Sequence, residues 1–205
     1  HASSAWLPFA KMRTGEVARL VQLGYSVMHT DTDVVWLRDP SPFLTCGGDG
    51  AAEFGPGSRA PCAFMRDIDA AVSTDHMAPG DDLRIGGAYA AGGTFNTGML
   101  FIRSTAAGRR FARLWHEYVA SPPKEPKYAA PGCCTSDQQV FGRMVRGRGY
   151  PGIEPVTPNS RVLGACASGC NGSVSLGTLP LALFTHGHAY FVQRAHERLG
   201  VQPFA

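Results

Sequence analysis

No stretch of this 205-residue sequence approaches the roughly 20 consecutive apolar residues that a membrane-spanning helix needs. A dense basic stripe is missing too. Nineteen lysines and arginines face 16 aspartates and glutamates, a balance that argues against nucleic acid as the main partner. No Cys-x-x-Cys pair occurs among the six cysteines, Cys46, Cys62, Cys133, Cys134, Cys166 and Cys170, and the adjacent Cys133-Cys134 is unusual for a zinc knuckle. An even number at such spacings fits disulfides in an oxidising lumen better. Asn171-Gly172-Ser173 is a formal N-glycosylation acceptor that would need the same compartment. There is no internal repeat, and no low-complexity tract beyond Gly-rich loops. No secretory signal sits at the front. The sequence begins at His1 and stops at Phe204-Ala205 without a terminal signal, so it reads as a piece of a longer protein, with any membrane anchor expected outside it.

What is present is organised around Gly24 to Pro40: a short strand, two carboxylates one residue apart, and a second apolar run closed by a proline turn. In an extended backbone the side chains at i and i+2 point the same way, so Asp31 and Asp33 are expected to face one side together. Two carboxylates that close repel each other unless a proton or a cation lies between them. An all-oxygen pair at a strand's exit is a candidate seat for a hard divalent ion, Mg²⁺ or Mn²⁺, which keeps open positions for substrate phosphates. Asp-x-Asp alone also caps helices and makes turns and is a weak motif by itself. Its weight here comes from the apolar β-formers on both sides and from Trp36-Leu37-Arg38-Asp39-Pro40 beyond.

The length fits one domain covering 1–205. Residues 1–11 look like the tail of an element. From Arg13 to Leu23 the apolar positions Val17, Leu20, Val21 and Leu23 predict a helix stopped by Gly24, leading into a strand at Tyr25 to Thr30. This α/β rhythm puts Asp31 and Asp33 beyond the carboxyl end of a strand, where open α/β sheets collect ligands. Residues 45–94 read as a Gly-rich insertion, a lid or padding, with Cys62 to Met65 as a possible short strand and Asp67, Asp69, Asp75, Asp81 and Asp82 as solvated surface. Phe95 to Arg103 is a strong strand signal with a polar opening. Ser104 is the expected cap of a helix with Phe111, Leu114, Trp115 and Tyr118 on its core face. Ser136 or Asp137 caps a further helix that buries Val140, Phe141, Met144 and Val145. Val162-Leu163 and the apolar run Leu179 to Phe184 follow, ending in Thr185-His186-Gly187-His188. Polar clusters thus fall at element ends: Asp31/Asp33, Asn96/Thr97, Asp137/Gln138 and His186/His188, which is how an α/β site is assembled.

Tyr25 to Pro40, then Phe95-Asn96-Thr97-Gly98, Ser136-Asp137-Gln138-Gln139-Val140-Phe141 and Gly187-His188-Ala189-Tyr190-Phe191-Val192-Gln193, resemble the nucleotide-diphospho-sugar transferases of glycosyltransferase family 77. These are the plant and algal arabinosyl-, xylosyl- and galactosyltransferase-like proteins of the cell wall. The likeness covers most of 7–204 in order, apart from the 45–94 loops. It implies a GT-A-type, Rossmann-like α/β domain that is incomplete at both ends. It also implies a retaining transfer of arabinose, xylose or galactose from a UDP-sugar to a glycan or glycoprotein acceptor, by a type II membrane protein of the Golgi lumen. By the same resemblance Asp31 and Asp33, with Thr32 between them, hold Mn²⁺ (or Mg²⁺) against the donor diphosphate, and His188 is a third metal ligand, His186 being the weaker one. Asn96, Asp137 and Gln138 reach the donor sugar, with Thr97 and Gly98 beside them, and Lys11 or Arg13 faces the diphosphate. Asp137 is the carboxylate for a double displacement. Without one about 3 Å from the anomeric carbon, same-face departure and attack is favoured, the leaving phosphate acting as base.

Two rival readings stand beside this one. A strand followed by Asp-x-Asp-x-Val is also the nucleophile motif of haloacid-dehalogenase-type phosphatases, but no convincing late acidic motif follows here. A degenerate, non-catalytic glycan-binding or structural module would keep the fold without the chemistry.

Overall fold

The computed structural model describes residues 6–47, 62–85, 94–122, 136–145, 154–155, 161–165 and 174–205. Helix α1 spans Trp6–Gln22, so residues 6–11 of the expected tail and the expected helix at Arg13 to Leu23 are one element. Pro8 lies in the first turn, where its missing N–H costs nothing. Gly15 lets the ring of His116 approach, since a Cβ there would stand 3.1 Å from His116 Cε1. Gly24 then takes a positive φ of 100°, and the chain enters β1, Val27–Thr30. Helix α2 is Ser41–Thr45. A single 3-10 turn covers Ala63–Arg66 where a short strand at Cys62 to Met65 was expected.

The largest departure is β2, Ala70–Thr74, inside the supposed insertion. All five of its residues are buried, and it lies third in a six-stranded sheet of order β1-β3-β2-β6-β5-β4. Its Ala-Ala-Val-Ser-Thr composition suits a strand covered on both faces, where small side chains let the flanking layers close in. The same composition leaves almost no periodic apolar signal. Helix α3, Pro79–Ile85, precedes β3, Phe95–Ile102. Helix α4, Ala106–Ala120, is capped by Thr105, whose side chain accepts from the Gly108 N–H, and not by Ser104. Helix α5, Asp137–Val145, is capped by Ser136, whose Oγ accepts from the Gln139 N–H at 3.2 Å. Strands β4, Glu154–Pro155, β5, Val162–Ala165, and β6, Val174–Thr178, complete the sheet. A π-helical turn, His188–Val192, and α6, Ala195–Leu199, close the chain.

Among the described residues every strand pairing is antiparallel except β2 with β6, so the α/β rhythm of the sequence has produced a mixed sheet. Alternate residues of β3 feed two cores. Leu100 and Ile102 pack with Val17, Val21, Phe111, Trp115 and Phe141 under the layer of α1, α4 and α5. Met99 and Phe101 pack with Phe43, Met65, Leu183, Phe184 and Phe204 on the other face. Leu114 and Tyr118, expected on the core face of α4, are partly buried against the first core.

Two of the scattered acids are not solvated. Asp82 is fully buried, paired with Arg161 at 3.0 Å and accepting from the Leu181 N–H at 2.9 Å. Asp69 accepts from Thr105 Oγ1 and from the Ser175 N–H at 3.1 Å. A disulfide joins Cys46 to Cys62. Cys133, Cys134, Cys166 and Cys170, and Asn171, lie outside the described residues. No helix among the described residues is long and apolar enough to cross a membrane.

Candidate active site

The site forms where β1 ends and its antiparallel neighbour β3 begins. Thr30 faces Met99 in register, and one step further the Asp31 N–H donates to the Gly98 carbonyl at 2.8 Å. The register of β2 on β3 jumps from Val72↔Leu100 to Ser73↔Asn96, which leaves Thr97, Gly98 and Met99 unpaired on that side. A bulge of this kind re-aims side chains beside a functional site. Antiparallel pairing plus the bulge therefore brings the Asp-x-Asp segment to Asn96, and the site uses the amino-terminal end of one strand as well as the carboxyl end of another.

Asp31 and Asp33 border one cavity of about 440 Å³, together with Asn96, Gly98, His186, Tyr190 and Phe191. They reach it by a turn, not by strand alternation. The Val34 N–H returns to the Asp31 carbonyl at 3.2 Å, Thr32 is exposed at the turn, and Asp33 makes no polar contact among the described residues. Gly98 is required by this crowding, since a Cβ would lie 2.9 Å from Asp31 Oδ2 and 2.8 Å from Asn96 Oδ1.

Behind the cavity wall, Arg13 of α1 places one guanidinium nitrogen on Asp31 Oδ1 and the other on Asp137 Oδ2. Trp6 and Phe9 flank the guanidinium, their ring centroids 5.8 and 5.7 Å away. Asp137 is only 1% exposed, its second contact being Thr97 Oγ1 at 3.5 Å, and it does not border the cavity. His29 Nε2 stands 3.9 Å from Asp31 Oδ1 with no hydrogen-bond partner among the described residues. Burial first, and then the charge of Arg13, hold its imidazole below the usual histidine value, against the opposing pull of Asp31 and Asp137.

A second network joins Asn96 to the start of α5. Asn96 Oδ1 accepts from the Gly98 N–H at 2.7 Å, and its Nδ2 donates to Asp75 Oδ1 at 2.7 Å. Gln138 Nε2 donates to the other oxygen of Asp75 at 3.3 Å. Asp75, read from sequence as surface, is exposed but ties two expected sugar-contacting residues together. No sequence signal marks it, because the strand it follows is itself hard to see. Of the basic pair on α1, Arg13 enters the acid cluster, while Lys11 is half-buried and not part of the cavity wall.

The histidines fall differently from the expectation. His186 borders the cavity, yet both ring nitrogens are engaged: Nε2 lies 2.7 Å from the His76 carbonyl, and Nδ1 accepts from the Ala189 N–H at 3.3 Å. His188 is exposed at the start of the π-helical turn and is not among the residues lining the cavity. Among the described residues, no group of three or more His, Cys, Asp or Glu side chains is placed to hold a metal ion. The two aspartates do fit a hard cation that draws its remaining ligands from elsewhere. Asp31 Oδ2 is the oxygen Arg13 does not use, and the missing Cβ of Gly98 leaves room beside it.

A mixed sheet of this order, with an acid pair at the exit of one strand and an asparagine at the entry of its antiparallel neighbour, defines a GT-A-like domain. The chain belongs to the nucleotide-diphospho-sugar transferase family, whose model matches residues 1–205. Among curated proteins it is similar to the Arabidopsis thaliana arabinosyltransferase XEG113, 28% identical over 91% of this chain and 24% of that protein. It is also similar to the Arabidopsis thaliana UDP-D-xylose:L-fucose alpha-1,3-D-xylosyltransferase 3, 28% identical over 70% of this chain and 32% of the relative. A third relative, the Arabidopsis thaliana UDP-D-xylose:L-fucose alpha-1,3-D-xylosyltransferase MGP4, is 29% identical over 59% and 29%. The chain thus spans about a quarter to a third of the length of these relatives. No solved structure matches it. Membership of this family decides against the phosphatase reading of Asp31 and Asp33.

Proposed function

We propose that this chain is the donor-binding part of a glycosyltransferase. It moves a sugar (arabinose, xylose or galactose) with retention of configuration from a UDP-sugar to a cell-wall glycan or glycoprotein acceptor in the Golgi lumen. One observation carries the reading: Asp31, Asp33 and Asn96 border a single cavity. The relatives' names support the donor class, since two of them transfer xylose from UDP-D-xylose. The Cys46–Cys62 disulfide supports a lumenal compartment.

In this reading Asp31 and Asp33 hold Mn²⁺ or Mg²⁺. A cation held there would supply Lewis-acid neutralisation of the departing nucleotide, worth several kcal/mol of transition-state stabilisation. Arg13 fixes the Asp31 carboxylate in one orientation and adds a cation close to the diphosphate. Asn96 and Gln138, oriented by Asp75, receive hydroxyls of the donor sugar, while Gly98 allows close approach and Thr97 braces Asp137. Thr32 lies exposed at the turn between the two aspartates, and Lys11, outside the cavity wall, takes no part in this reading. Asp137 is buried behind Arg13, which supports a positioning role and favours same-face transfer. The acceptor oxygen bonds to the anomeric carbon as the bond from that carbon to the phosphate oxygen breaks, and the hydroxyl proton passes to the departing phosphate.

The test is Mn²⁺-dependent turnover of UDP-xylose, UDP-arabinose and UDP-galactose. Activity with at least one donor, abolished by Asp31→Ala, is expected. Full activity in that variant would remove the metal assignment.

A further inference from the structure

The cavity lining is of two kinds: Asp31, Asp33 and Asn96 are polar, whereas Val34, Val35, Leu37, Tyr190 and Phe191 are apolar or aromatic. Phe191 is 77% exposed, Val35 70% and Leu37 51%. None of these three adds much to the folded core, and exposed apolar side chains gathered in the lining of a partly polar cleft mark a recognition surface. The apolar lining is also built, not incidental. Tyr190 is held by a ring stacked on His196, with centroids 4.2 Å apart and planes at 9°, and Phe191 meets Tyr190 edge to face at 4.9 Å and 75°. The π-helical turn that carries them is secured at its far end by Gln193, whose Nε2 donates to the Met77 carbonyl at 2.6 Å.

From these features we infer that the Val35–Leu37 and Tyr190–Phe191 wall is the acceptor subsite, a platform for the C–H face of an uncharged saccharide. The inference rests on the transferase reading of the acid pair. A diphosphate and its counter-ion cannot lie against this surface, because removing charge from water onto an apolar wall is costly. A sugar ring suits it, having an apolar face to set on Phe191 and a hydroxyl rim to turn toward Asn96 and Asp33. The wall shares one cavity with the aspartates, so a saccharide lying on it brings a hydroxyl to the carbon that leaves the phosphate. That hydroxyl oxygen takes the glycosyl group, and its proton goes to the released UDP.

The test uses the full chain with Mn²⁺ and UDP, titrated with the methyl glycosides of xylose, arabinose, fucose and galactose. Binding is read by magnetisation transfer from protein to sugar protons, with the affinity for UDP measured calorimetrically alongside. At least one glycoside should give a saturable signal on the unmodified protein. Phe191→Ala should lower that affinity about tenfold or more while leaving UDP affinity unchanged, and Phe191→Trp should retain it, since a larger ring keeps the platform. The inference is overturned if a protein that binds UDP takes up none of the glycosides, or if Phe191→Ala binds them as before. It is equally overturned if Phe191→Ala loses UDP, which would make the wall a seat for the base. A chain that binds no UDP with Mn²⁺ would instead remove the transferase reading, and this subsite with it.

Discussion

Gly98 is where the site tolerates least. A side chain there would meet Asp31 and Asn96 oxygens at under 3 Å, so one of the two must turn away. Gly98→Ala should lower donor turnover about 100-fold, the scale of a small misplacement of reacting groups, with a loss of about 1–3 kcal/mol of stability from overpacking. Turnover and urea denaturation on the same preparation check both numbers. Arg13 presents the opposite case, a charge whose removal strands its partner. Asp137 is almost wholly buried, and a buried carboxylate stripped of its cation costs about 3–5 kcal/mol. Arg13→Ala should therefore destabilise by about that much, and adding Asp137→Asn should recover a substantial part of it. Two variants whose losses simply add would show that the pair is not coupled. Neither role could be read from the chain. Lys11 and Arg13 looked alike as basic residues just ahead of the first expected helix, and only the pitch of α1 decides which one turns toward Asp31.

At the scale of elements, legibility followed the strength of the apolar period. α4 and α5 carry large side chains at helical spacing, and β3 is a run of β-formers, so their existence and their buried residues were evident beforehand. β2 was not, because small residues buried on both faces look like loop. With it the sequence hid Asp75, and with Asp75 the link between Asn96 and Gln138. Caps were half legible. Ser136 is the observed cap of α5, but at α4 two adjacent hydroxyl residues compete, and Thr105 prevails because its Oγ1 also donates to Asp69. Thr105→Ala should cost about 1 kcal/mol for the cap and more for the exposed lone pairs of Asp69. Ser104→Ala should cost less than half as much, since the Ser104 side chain does not cap the helix. Thermal denaturation of the two variants makes the comparison directly, and equal losses would place the cap wrongly.

Across the whole molecule, the sequence pointed to residues that the fold brings to one cavity, Asp31, Asp33, Asn96 and Gly98, but not to how the fold joins them. An Asp-x-Asp followed much later by Asn-x-Gly and Asp-Gln was enough to suggest a common site. The antiparallel β1–β3 pairing, the bulge at Thr97 to Met99 and the guanidinium bridge to Asp137 are long-range features with no local signature. The tail is another such feature. Leu37 donates to the Phe204 carbonyl at 2.8 Å, and Thr185 to the Ala205 carbonyl at 2.8 Å, so residues far apart in the chain close the apolar side of the cavity.

Asp31 and Asp33 are proposed to bind a divalent cation and, through it, a nucleoside diphosphate. Calorimetric titration of UDP into the protein, with Mn²⁺ and then with chelator in its place, tests this most directly. Saturable heat is expected with Mn²⁺ and should disappear in chelator and in Asp31→Ala. Equal UDP affinity with and without the ion, or undiminished Mn²⁺-dependent binding in Asp31→Ala, would contradict it.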